Sequence, residues 1–112
     1  EESKSGWNAS DETNWYTFLP DVNSLLELPH LRVRGLMTMP PLETDPEEAR
    51  RFFLRLRRLR DHLVDQFPQA DWRELSMGTS ADYAVAVEEG ATLVRVGTAI
   101  VGARKYQSEK EA

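Results

Sequence analysis

The sequence has no cysteine among its 112 residues. That absence excludes disulfides, a thiolate nucleophile and cysteine-ligated zinc together. Histidine is scarce: His30 follows Pro29 in a loop, and His62 lies between Asp61 and Leu63 on a predicted helix. Neither has a second ligand at metal spacing, so both read as surface residues. Two histidines so placed also support no Ser-His-Asp arrangement. No apolar run approaches the roughly 18 residues of a membrane span. The opening "EESKSGWNAS" is polar from its first residue and shows no signal-peptide pattern. The expectation is a cytoplasmic soluble domain with no membrane partner.

What is present suits one domain. Hydrophobic residues make up 40% of the chain, enough for a core. Residues 1–106 read as that domain and 107–112, "QSEKEA", as a polar tail. The net charge of -5 argues against a non-specific nucleic-acid binder, because neutralising phosphates needs a basic surface. One stretch seems to object, since "RRFFLRLRRLR", 50–60, holds six arginines. At about 100° per residue, Ala49, Phe52, Phe53, Leu56, Leu59 and Leu63 share one helical side. Arg50, Arg51, Arg57 and Arg58 fall roughly opposite, with Arg55 and Arg60 at the boundaries. That pattern favours the solvated back of an outer helix over an RNA- or partner-binding patch.

Trp15, Phe18, Val22 and Leu25 recur at spacings of three and four, predicting a helix from about 13 to 28. Pro20 should kink or divide it, and Leu28-Pro29 should end it. "LRVRGLMTM", 31–39, reads as a strand stopped by Pro40 and Pro41. Asp45 as N-cap, Pro46 at the first helical position and Glu48 completing a capping box start a second helix, which should run to about Gln66. "RELSM", 73–77, predicts a short strand. "GTS" is a turn in which Ser80 caps a helix over 81–89, closed by Gly90. "TLVRVG" is a third strand, followed by a loop or short helix over "TAIVGAR". Strands alternating with amphipathic helices mean crossovers and a parallel sheet, an α/β architecture. Three parallel strands are few for a self-contained α/β domain, so the chain looks cut from a larger barrel or doubly wound sheet.

Two strand ends carry the chemistry. "SMGTSAD", 76–82, offers a glycine turn, hydroxyls and free N–H groups that suit an anion. "RVGT", 95–98, offers the backbone of Gly97 and the hydroxyl of Thr98. In (β/α)8 barrels a phosphate is commonly held by the loops after the last two strands, and these are the last two strands here. One shared phosphate is the expectation. Arg95 alternates with Val94 and Val96 along its strand, so it points away from the helices if they pack against those valines. A buried guanidinium must be paired. The spacing leaves two partners open: an acceptor on a phosphorylated ligand, or a carboxylate in a structural ion pair. Asp82 reads as a helix-dipole partner rather than a catalytic acid. Met37, Met39 and Met77 read as packing residues, and Tyr83 as packed on its helix.

"LRVRGLMTMPP", "ELSMGTSADYAVAVEEGATLVRVGTAIVGAR" and the opening "EESKSGW" together resemble the C-terminal half of the pyridoxal-phosphate homeostasis proteins. That family has the TIM barrel shared with the N-terminal domain of alanine racemases. The resemblance implies a partial (β/α)8 barrel that binds pyridoxal 5'-phosphate for storage and delivery, without a robust reaction of its own. It implies that Ser80, Gly97 and Thr98 hold the phosphate and that Met77 and Gly78 shape the loop. Arg95 would face the pyridine nitrogen, which an arginine leaves unprotonated because it can only donate. Thr79 stands where the family usually has methionine, and Val101 where it usually has phenylalanine. The family's Schiff-base lysine sits on an early strand that nothing in this sequence matches. Lys4, Lys105 and Lys110 are not plausible substitutes, so the expectation is a fragment without the covalent anchor. An amino-acid racemase-like enzyme is the alternative function. A half barrel leaves strand edges unpaired, which predicts self-association.

Overall fold

The computed structural model describes residues 6–41 and 45–103. The expected tail, Lys4, Lys105 and Lys110 lie outside the described residues. Pro20 divides the first predicted helix. Glu12–Phe18 forms a 3-10 helix, and α1, Leu19–Leu26, follows with Pro20 in its first turn, where a missing N–H costs nothing. Asp11 caps the 3-10 segment by accepting from the Thr13 N–H at 2.9 Å. The Thr13 hydroxyl and amide hold the Asp11 carboxyl below its ordinary range.

The first strand is shorter than expected. β1 covers only Gly35–Met37 rather than 31–39. Its partner begins at Glu74, whose N–H donates to the Arg34 carbonyl at 2.8 Å, and among the described residues no strand pairs with 31–33. The long helix α2, Pro46–Gln66, matches its prediction closely. Asp45 Oδ1 caps it at the Glu47 N–H, 3.0 Å away, and the Glu47 carboxylate turns to Arg50. That hydrogen bond from Arg50 is the main reason the Glu47 carboxyl is held below its usual range. β2, Glu74–Thr79, extends two residues past its predicted end, while α3, Tyr83–Glu88, is shorter than 81–89. β3, Leu93–Arg95, is likewise shorter than predicted, and the "TAIV" segment forms the short helix α4, Thr98–Val101.

The three strands are parallel in the order β1-β2-β3. Gly35 pairs with Glu74, Met37 with Ser76 and Thr79 with Arg95, with a register irregularity between Ser76 and Thr79. Leu75 and Met77 project from one face of β2, as their spacing of two requires. On that same face lie Ala49 and Phe53 from α2 and Val85 and Ala86 from α3, forming one buried cluster. A second cluster joins Trp15, Phe18 and Val22 to Leu59, Leu63, Phe67 and Trp72. Both crossover helices therefore cover the same side of the sheet. That is the layering of a (β/α)8 barrel wall; a doubly wound sheet would carry helices on both faces. The chain forms part of such a barrel.

The arginine run is largely satisfied within the protein. Arg50 bridges to Glu47, Glu88 and Glu89, and Arg57 to Glu89. Arg58 pairs with Glu12 and Arg60 with Asp61. Arg50 is half-buried and ties α2 to the end of α3, so it does not belong to the solvated back where the helical wheel placed it. Among the described residues, no helix is long and apolar enough to cross a membrane.

Candidate functional site

The site is built where β2 and β3 end. Met77 is fully buried in the core beneath the turn. At Gly78 the chain takes φ +105°, and an added Cβ would lie 2.7 Å from the Ala86 Cβ and 3.2 Å from the Tyr83 Cα. Only glycine satisfies both the left-handed backbone and that contact. The chain then reverses through residues 79–82. The Asp82 N–H donates to the Thr79 carbonyl at 3.1 Å, and Asp82 Oδ1 accepts from the Thr79 N–H at 2.7 Å.

One expectation for this turn is corrected. Ser80 does not cap the helix that follows it. Its Oγ reaches across to the next strand end and accepts from the Gly97 N–H at 3.1 Å and the Ala99 N–H at 2.9 Å. Asp82 stands at the N-cap of α3 but makes no side-chain cap bond, its carboxylate turned back to Thr79. The 78–82 turn and the 97–99 turn are thus in direct contact. Thr98 opens α4 and is exposed. Above Gly97 there is open space, since an added Cβ would meet nothing within 4 Å.

Arg95 crosses the sheet. Its Nη2 donates to the Thr38 carbonyl beyond β1 at 2.8 Å and lies 3.5 Å from the Ser76 carbonyl of β2. The structural ion pair left open by the sequence is not what forms: carbonyls, and no carboxylate among the described residues, receive this guanidinium. Its Nε is buried and has no hydrogen-bond partner there. The result is a half-buried cation at the carboxyl ends of the strands with a donor to spare.

The lesser candidates are placed as follows. Met37 and Met39 are exposed at 55% and 39%, so packing accounts for Met77 but not for them. Tyr83 is exposed rather than packed on its helix. His30 is exposed, while His62 is half-buried with its ring 5.5 Å from that of Trp15, not a plain surface residue. No group of three or more His, Asp or Glu suited to a metal occurs among the described residues. Two elements of the site escaped sequence reasoning. The Thr79–Asp82 pair carried a signal, an Asp three residues beyond a threonine at a strand end. The Thr38 carbonyl carried none.

The family model for the N-terminal domain of alanine racemase matches residues 14–105. A pyridoxal phosphate homeostasis protein of Aquifex aeolicus is 53% identical over 81 residues, covering 72% of this chain and 35% of that protein. One from Pasteurella multocida is 38% identical over 106 residues, 95% of this chain and 43% of its own length. The solved structure of PipY from Synechococcus elongatus with PLP bound is similar with a TM-score of 0.76 at 36% identity, covering 88% of this chain and 44% of PipY. The chain spans less than half the length of these relatives.

Proposed function

Because the chain belongs to the alanine racemase N-terminal domain family, we propose that it binds pyridoxal 5'-phosphate at the carboxyl ends of its strands and serves cofactor homeostasis, storing and delivering the cofactor. The observation that carries this reading is Arg95, a half-buried guanidinium with no carboxylate partner and a buried Nε lacking an acceptor among the described residues. A buried donor left unmade costs about 1–3 kcal/mol, so an acceptor is favoured there. The pyridine nitrogen is an acceptor of the right kind for the accessible side of this half-buried guanidinium. The phosphate accepts a hydrogen bond from the Ser80 hydroxyl, whose oxygen is occupied by the Gly97 and Ala99 amides, and lies against the main chain at Gly97 and the Thr98 hydroxyl. Gly97 leaves the room a phosphate needs against the main chain. Met77 and Gly78 hold the turn from beneath.

When bound, the cofactor supplies an aldehyde and an electron-withdrawing ring. Arg95 can donate a hydrogen bond but cannot give up its proton, so the ring nitrogen it faces stays unprotonated and the ring a weak electron sink. That fits a storage role or racemase-like chemistry better than an aminotransferase reaction. The described residues include no lysine, so these contacts are non-covalent.

Equilibrium dialysis against pyridoxal 5'-phosphate tests the reading. Saturable binding that inorganic phosphate competes away is expected. Ser80→Ala should bind about tenfold more weakly, the worth of one hydrogen bond of roughly 1.4 kcal/mol. Equal affinity in the variant, or no competition by phosphate, removes Ser80 from the site. Alanine should racemise in these samples no faster than with free cofactor; a faster rate would favour the racemase alternative.

Self-association belongs to the same reading. β1 and β3 each pair on one side only among the described residues, and Met37 and Leu93, on those strands, are 55% and 50% exposed. Unpaired edges template further pairing. Sedimentation velocity should show a concentration-dependent species heavier than the monomer. A monomer at all concentrations, with no binding of a hydrophobic dye, would count against it.

A further inference from the structure

We propose that Asp82 is the positioning residue of this site: latched to Thr79, its carboxylate fixes Ser80 and thereby sets the affinity for a phosphate ester. The proposal rests on the cofactor reading above. Asp82 Oδ1 accepts from the Thr79 N–H at 2.7 Å and from the Thr79 hydroxyl at 3.2 Å. The Asp82 N–H returns a bond to the Thr79 carbonyl at 3.1 Å. These bonds close residues 79–82 into a turn whose corners are Ser80 and Ala81. Ser80 Oγ then projects to the Gly97 and Ala99 amides at 3.1 and 2.9 Å.

A carboxylate is an unfavourable neighbour for a phosphate, because like charges repel. Its presence in the turn calls for a positional reason, and no ion pair among the described residues supplies one. The latch does. Thr79 adds a feature of this chain, since its hydroxyl is a second donor that the methionine usual in the resembled family cannot offer. Without the latch the turn is free to open, and only the Gly97 and Ala99 amides then hold the Ser80 hydroxyl against its other staggered χ1 wells.

The test pairs two measurements on the whole chain: hydrogen exchange of the Gly97 and Ala99 amides without ligand, and dialysis against pyridoxal 5'-phosphate. Asp82→Ala should speed exchange at both amides by about tenfold and weaken cofactor binding by about tenfold, a loss on the scale of one charged hydrogen bond. Asp82→Asn keeps the acceptor oxygen and should restore both, with binding at least as tight as wild type. Thr79→Val removes only the hydroxyl and should speed exchange by roughly threefold, about half the worth of one hydrogen bond; it decides the matter if Asp82→Ala does not fold. Unchanged exchange in a folded Asp82→Ala, or in Thr79→Val, overturns the latch. Faster exchange with unchanged cofactor affinity leaves the latch standing and overturns the phosphate role of Ser80, so the two failures separate.

Discussion

Gly35→Ala is expected to break the β1–β2 pairing and cost more than about 3 kcal/mol, at the upper end of overpacking effects. An added Cβ at residue 35 would stand 2.6 Å from the Glu74 carbonyl carbon and 2.8 Å from its Cβ. The obstacle is the backbone of the paired strand, so no rotamer change relieves it, and β1 would have to part from β2. The bonds flanking the pair go with it: Glu74 N–H to Arg34, and Thr38 N–H to Ser76. Domains of this kind are stable by only about 5–15 kcal/mol, so the variant should unfold at much lower urea. Trp72, buried just before β2, reports the change by fluorescence. Gly97→Ala is the contrast within the protein, because its Cβ meets nothing within 4 Å and its urea midpoint should not move. A Gly35→Ala midpoint equal to wild type would show that β1 is not seated as described.

Gly35 also illustrates what a sequence leaves unsaid. Its crowding depends on Glu74, 39 residues away, and nothing in "LRVRGLMTM" marks which neighbour will arrive. The same holds for strand length. Residues 31–39 have strand composition throughout, yet β2 begins at Glu74 and pairing decides where β1 starts. Helix signals are local, and they read well. Asp45-Pro46 and the apolar spacing through Leu63 placed α2, and Pro20 marked the division of the first helix. The order of elements and the parallel sheet followed from that. At the site, the two strand-end turns were legible because glycine and hydroxyl residues announce them. The target of Ser80 was not, since a serine in a turn caps its own helix as readily as it serves a loop 17 residues on. The pairing of the arginines with Glu88 and Glu89 did leave a trace, in an acid doublet at the end of the helix that packs on theirs.

Arg95 carries the sheet and the ligand reading at once, and substitution should show both. Its bond to the Thr38 carbonyl joins the edge strand β3 to the far side of β1, a span of 57 residues in sequence. Arg95→Ala removes a charged donor and leaves a carbonyl without its partner, a loss of about 1.5–3 kcal/mol in urea unfolding without cofactor. The same variant should bind pyridoxal 5'-phosphate about 10- to 100-fold more weakly, since one charged hydrogen bond of 1.5–3 kcal/mol converts to that range. Arg95→Lys separates the two. An ammonium keeps the charge and can reach one acceptor, but it lacks the planar fork that serves a carbonyl and a ring nitrogen together. Lysine should therefore recover most of the stability and little of the affinity. Because Arg95 forms no ion pair among the described residues, the stability loss should also be insensitive to salt, unlike that of a surface charge pair. If both variants lose stability while cofactor affinity stays at the wild-type value, the guanidinium is a tie between strands and nothing more, and the ring contact must be assigned elsewhere.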